Sequence, residues 1–389
     1  MEFEKVNQSF LRLKNYVEKE GYRGWDPYDG LNSKFFQSLP LRKLPIARLA
    51  WIQLFKRSPI NLRSFFGVEK DFNSKGLGLF LSGYCNLYVQ NPREEYKEKI
   101  YTLIDLIINL RSKGYSGVCW GYNFDWQARA FFQPKSTPTV VATTYVTYSL
   151  LDAYDIFKNK EWLDLARSAC DFVLSDLNRT YDKDGDFCFS YSPLDNTQVF
   201  NASLLGSRML SRVYSYTKEE VLAEAATKSV SFCCKQQKEN GAWGYGTLPF
   251  HQWIDNFHTG FNLECIHEYQ KFTGNRSFSE YLTKGFHYYT NTFFTKQGQS
   301  KYYDNKLYPI DIHAPAQLVV TLGRMEKLKE HLPLVSRVLE WTLQNMQDDR
   351  GYFYYQVKKT GSSKVPYIRW AQAWMFFSLS FYLTTTKNS

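Results

Sequence analysis

The residues best suited to chemistry crowd into one short stretch, His251-Gln252-Trp253-Ile254-Asp255-Asn256-Phe257-His258. Imidazoles exchange protons near neutral pH, a carboxylate orients them, and an indole offers an apolar face for a ring-shaped ligand. The Asp-x-His idea recurs at Asp311-Ile312-His313. Asp255, His258, Asp311 and His313 are therefore the candidate catalytic groups. A general acid or base must lie within hydrogen-bond reach of the proton it moves, and two carboxylates can divide acid and base roles across a glycosidic bond. Each residue also has a structural reading. Asp195, Asp255 and Asp311 stand where a helix N-cap is wanted, worth about 1 kcal/mol, and a histidine at a helix start is often simply packed.

Five turns carry further polar and aromatic residues. Asp125, Trp126, Arg129, His251, Trp253, Asn256, Tyr303, Asp304, Arg369 and Trp370 form the candidate substrate-binding set. The tryptophans supply stacking faces, and Arg129 and Arg369 match a carboxylate in bidentate fashion. This combination suits a hydrolase, lyase or epimerase acting on an acidic sugar. His251, His258 and His313 match no compact zinc spacing, so no metal is expected. GLGLF and GAWGY lack the Lys-Ser/Thr of a phosphate loop, no Gly-x-Ser-x-Gly elbow occurs, and no cofactor is expected.

To bring such turns together the chain needs a repeating scaffold. Glycine-then-aromatic punctuation recurs in GYRGW, GLGLF, GVCWGY, DGDFCF, NGAWGY, GQSKYY and RGYFYY. The spacing fits two helices of ~15–20 residues with their loops. Between these marks, 161–177 and 93–110 carry one apolar face at helical period, whereas 139–154, 197–214, 257–272 and 367–383 are apolar nearly all round. One-faced helices outside and all-round helices inside make an all-α, (α/α)6-type toroid, with short β-hairpins in the loops at Phe187–Ser190 and Tyr352–Tyr355. An open α-solenoid is disfavoured because its repeats are shorter and more regular. Residues 1–75 read as an N-terminal helical segment packed on the ring, and 76–389 as the toroid domain.

Composition narrows the partners. The net charge of +10 favours an anionic partner, and Lys56, Arg57 and Arg63 in KRSPINLR form a compact cationic loop. No zinc-finger, helix-turn-helix or RNP signature appears, so nucleic acid is not expected. The charged N-terminus reads as no signal peptide, and no run reaches the roughly 18 apolar residues of a membrane span. Seven cysteines without a CxxC pair read as reduced thiols. A soluble cytoplasmic protein is expected, with peripheral contact to membrane-bound polysaccharide machinery.

The stretch KQQKENGAWGYG resembles the Gln…Gly-x-Trp repeats of terpenoid-cyclase and prenyltransferase toroids, where the motif is a structural brace. The Asp-x-Asp-Asp protonating motif of squalene-type cyclases is missing, so this resemblance implies fold and not reaction. YDGLNS (28–33), RLAWIQLFKRSPINLR (48–63), WGYNFDWQARAFFQPKSTPTVVAT (120–143) and DNFHTGF (255–261) resemble bacterial proteins encoded with capsule and exopolysaccharide genes. That resemblance implies a six-hairpin-glycosidase-like toroid and a role in surface-polysaccharide biosynthesis. Relatives by fold would be unsaturated-glucuronyl hydrolases, N-acylglucosamine 2-epimerases and glucuronyl C5-epimerases, and it transfers no catalytic residue. The function expected is acid–base chemistry on an acidic oligo- or polysaccharide or a nucleotide sugar. The alternative is a non-catalytic glycan-binding or assembly factor of an export system. A lipid-processing, terpenoid-type lumen is disfavoured by the Asp, Asn and His at the helix entries.

Overall fold

A computed structural model describes residues 3–58, 60–129 and 131–386. In chain order its helices are α1 (Phe3–Lys19), α2 (Lys34–Ser38), α3 (Pro45–Arg57), α4 (Ser74–Gln90), α5 (Glu94–Asn109), α6 (Val140–Phe157) and α7 (Lys160–Asp171). They continue with α8 (Phe200–Thr217), α9 (Glu220–Cys234), α10 (Asn256–Thr273), α11 (Ser279–Thr292), α12 (His313–Arg324), α13 (Leu332–Met346) and α14 (Trp374–Thr386). The even-numbered helices from α4 to α14 pack each on the next, and α14 packs back on α4. The ring closes. Helices α5, α7, α9, α11 and α13 each lie outside the inner helix before them, and α1 takes the sixth outer place against α14. This is the expected (α/α)6 toroid, and its last outer helix comes from the start of the chain.

Burial follows the sequence pattern. α6 buries every residue from Val140 to Leu151, because neighbours surround it. α7 buries only Trp162, Ala166, Ala169 and Cys170, one stripe at three- and four-residue steps. Where α4 meets α14 the backbones approach closely: a Cβ on Gly83 would stand 2.6 Å from the Phe376 ring.

The aromatic punctuation is mostly bracing. Trp120 Nε1 donates to the Ile107 carbonyl and Trp243 Nε1 to the Cys233 carbonyl, each near the end of the preceding outer helix. Each carbonyl also accepts a backbone N–H from the end of its helix, Leu110 on Ile107 and Gln236 on Cys233, and the indole adds a second donor that ties the turn to that helix end. GLGLF departs from the pattern, since it lies within α4 and Phe80 is a core residue rather than a turn mark. Of the two expected hairpin strands, Phe187–Phe189 pairs with Arg179–Tyr181. Tyr352–Tyr355 instead leads into the strand Gln356–Val357, which lies between Ile310–Asp311 and Ser362–Ser363.

Below the middle of the ring lies a buried ionic layer. Arg208 meets Glu264 at 3.1 Å and also pairs with Glu268, and Arg212 meets Asp152 at 2.7 Å. Tyr148 lies between these guanidinium groups. At the other end, residues 20–58 and 60–73 cover the ring and are pinned by Asp29 and Asp26. Arg63 Nε donates to Asp29 Oδ1 at 2.6 Å, and Arg369 grips Asp26 at 2.6 and 2.8 Å. Arg63 is thus not part of a solvated cationic loop; it is fully buried and paired. All seven cysteines are free and buried. Among the described residues, no helix is long and apolar enough to cross a membrane.

Candidate active site

All six inner helices begin at the same end of the ring. Their first residues surround a cavity of about 450 Å³: Lys75 on α4, Val141 on α6, Asn201 on α8, His258 on α10, His313 on α12, and Arg369 with Trp370 before α14. Each helix start carries partial positive charge from its unpaired N–H groups, so their convergence favours an anionic ligand.

His258 and His313 meet in this cavity. Both rings contact Phe257 at 4.5 Å between centroids. Asp255 caps α10, accepting the His258 backbone N–H at 2.9 Å, and its carboxylate also receives His258 Nδ1 at 2.8 and 3.0 Å. A carboxylate only accepts, so Nδ1 carries the proton and Nε2 is left to exchange one with a ligand. Asp255 itself is buried behind the imidazole and does not line the cavity. His313 is 2% exposed, and neither ring nitrogen has a hydrogen-bond partner among the described residues. Burial, with Lys75, His258 and Arg369 nearby, pushes its pKa well below the usual imidazole value.

Asp311 does not join them. Its carboxylate accepts from the His313 backbone N–H at 3.0 Å, Trp370 Nε1 at 2.8 Å and Gln356 Nε2 at 2.7 Å. Burial raises its pKa to about 6. The residue lies behind the wall, holding Trp370 and the start of α12. Asp195 likewise caps no helix: it accepts from Ser192 and Thr197 and shapes the loop before α8, whose N-cap is Val199.

Seven of the ten expected binding residues line the cavity: Trp126, Arg129, His251, Trp253, Tyr303, Arg369 and Trp370. Trp253 stacks on Tyr245 at 4.3 Å, and Trp126 stands edge-on to Phe131 and Tyr28. Of these, Arg369 has its guanidinium fork occupied by Asp26 rather than free for a substrate carboxylate. A π-helical turn, Ile368–Ala373, places Arg369 and Trp370 here; the Gln372 N–H donates to the Tyr367 carbonyl five residues back. The remaining three lie elsewhere. Asp125 accepts from the Lys135 N–H, Asn256 from the Tyr289 hydroxyl and Asp304 from the Tyr288 hydroxyl.

Lys75 escaped the sequence reading. Its side chain is 3% exposed, and no ion pair reaches it among the described residues. Its Nζ lies over the rings of Tyr145 at 4.2 Å, Trp374 at 5.2 Å and Phe261 at 5.4 Å. Burial, reinforced by Arg369, pulls its pKa well below the usual lysine value. The signal was present: a lone lysine opens an otherwise apolar helix in NSKGLGLF. Tyr122, Tyr191 and Tyr245, also missed, complete the aromatic wall. Among the described residues, no Asp or Glu lines the cavity.

Closed ring, parallel inner helices and a cavity at their starts define the six-hairpin α/α toroid class. Solved structures share it. The chain superposes on cellobiose 2-epimerase from Bacillus thermoamylovorans with a TM-score of 0.63 at 15% identity, covering 80% of this chain and 87% of that one. An α-mannanase of glycoside hydrolase family 76 from Bacteroides thetaiotaomicron gives 0.63 at 12% identity, covering 82% and 88%. Unsaturated glucuronyl hydrolase from a Bacillus species gives 0.63 at 10% identity, covering 100% and 97%. No protein-family model matches the chain. No curated protein sequence matches it either.

Proposed function

We propose that this chain is a carbohydrate-active enzyme that moves a proton at a sugar carbon, in the manner of an epimerase, isomerase or lyase. The observation that carries the reading is the pair of imidazoles in one aromatic cavity: His258 backed by Asp255, and His313 with both nitrogens unpartnered among the described residues. His313, kept uncharged by its surroundings, takes the proton next to a carbonyl or carboxylate group. His258 exchanges a proton with the same ligand through Nε2. Hydrolysis by paired carboxylates is the weaker reading, because that mechanism needs two carboxyl groups facing the scissile bond. The solved structures of similar fold include an epimerase and two glycan hydrolases, which supports a sugar substrate.

The substrate is an acidic glycan or nucleotide sugar of surface-polysaccharide assembly. Its support is threefold: the cationic wall groups Lys56 and Arg129, the helix starts that converge on the cavity, and the segments resembling capsule-cluster proteins. The test is deuterium exchange in heavy water, read by NMR across uronic acids, neutral aldoses and nucleotide sugars. Wild type should wash label into one ligand class. His258→Asn and His313→Asn should each slow exchange by about 100-fold or more. Wild-type binding without exchange in any sugar would favour the assembly-factor reading and end this one.

A further inference from the structure

We propose that the segments 34–58 and 60–66, at the cavity mouth, form a docking surface for an anionic lipid membrane. From Gly30 to Val68 the chain contains seven Lys or Arg and no Asp or Glu. In the same stretch stand seven of the fourteen large apolar side chains exposed among the described residues. Ile46 and Phe65 are each 82% exposed, and Phe35, Leu41, Leu44 and Ile60 join them. Scattered surface hydrophobics are ordinary, but half of them gathered into about a tenth of a chain are not.

The local fold explains why they stay outside. α3 buries only Ile52 and Phe55 against its neighbours, and the short turn before it, Pro40–Lys43, buries nothing. Beneath the exposed residues Trp51, Phe36, Phe55 and Phe66 form a packed aromatic base, so the outer apolar groups are held on a rigid platform. Arg42, Lys43 and Arg57 stand beside them without a carboxylate partner among the described residues. Apolar side chains ringed by unpaired cations fit a bilayer interface: the former enter the headgroup boundary, and the latter meet anionic headgroups. The charge singles out a lipid surface over a second copy of this chain, because two such faces would repel. The platform also contributes Leu49, Gln53 and Lys56 to the cavity wall, so docking would bring the cavity mouth to the interface.

Vesicle flotation of the full chain tests this. The chain should float with vesicles of phosphatidylcholine mixed with phosphatidylglycerol, stay behind with phosphatidylcholine alone, and be released by high salt. Arg42→Glu with Lys43→Glu should weaken binding by about 25-fold or more, about fivefold for each cation lost. Ile46→Asp with Phe65→Asp should do likewise, and both pairs are exposed enough to leave the circular dichroism spectrum and melting temperature unchanged. Equal flotation with both vesicle types, no flotation with either, or anionic binding insensitive to both double variants would overturn the proposal. So would self-association through this face in place of lipid binding.

Discussion

His258 and Asp255 act as a unit at the residue scale, and their geometry separates positioning from packing. An Asn at 255 still caps α10, since Asn and Asp rank alike at that position. It no longer places a carboxylate on Nδ1, so an imidazolium formed in the proposed proton transfer would lose its counter-charge. Asp255→Asn should therefore leave the melting temperature within a degree or so of wild type while slowing deuterium exchange on the order of 100-fold. Parallel melting curves and exchange rates would check it. A collapse in stability would mean that the carboxylate is needed for folding alone. His258, His313 and the tryptophans were legible in the sequence because chemistry-bearing types clustered at turns. Lys75 was not, because a lone lysine among apolar residues reads as a helix-start charge until the ring encloses it.

Among the elements, closure of the inner ring depends on close backbone approach between α4 and α14. Gly83→Ala places a Cβ against the Phe376 ring at 2.6 Å, and Phe376 is itself packed by Phe10, Phe80 and Tyr84. The ring has no free direction to move, so overpacking should cost about 1–3 kcal/mol, read from urea unfolding. An unchanged midpoint would show that this seam is loose. The alternation of one-faced and all-round helices was legible because burial on one side or several sides leaves different periodicities. The π-helical turn before α14 was not. IRWAQA reads as ordinary helix, and only the need to seat Trp370 on Asp311 and Arg369 on Asp26 favours the wider turn.

For the whole molecule, the buried ionic layer sets a pH dependence. Burial pushes the Glu264 carboxyl up to about 7 from an ordinary 4.5, against the pull of Arg208. Folding therefore favours the protonated form. Its contribution is complete below the ordinary value and is lost as pH rises through about 7. Glu264→Gln imitates the protonated form, so the stability difference between wild type and variant should shift against wild type by on the order of 3 kcal/mol across that window. Thermal melts of both proteins through the same range would show it. A difference independent of pH would place Glu264 as a permanent anion.

Sequence alone determined that one-faced and all-round helices alternate, that aromatic turns join them, and that imidazoles gather at two entries. Those properties are local: they depend on residue type and spacing along a few turns of chain. Which groups face the cavity was decided by tertiary structure. Asp311 and Asp255 turned behind the wall to hold Trp370 and His258, Arg369 was claimed by Asp26 across most of the chain's length, and Lys75 was buried with no ion pair among the described residues. The reason is that a charged side chain's role is set by its partner, and in a closed ring the partner arrives from a distant part of the chain.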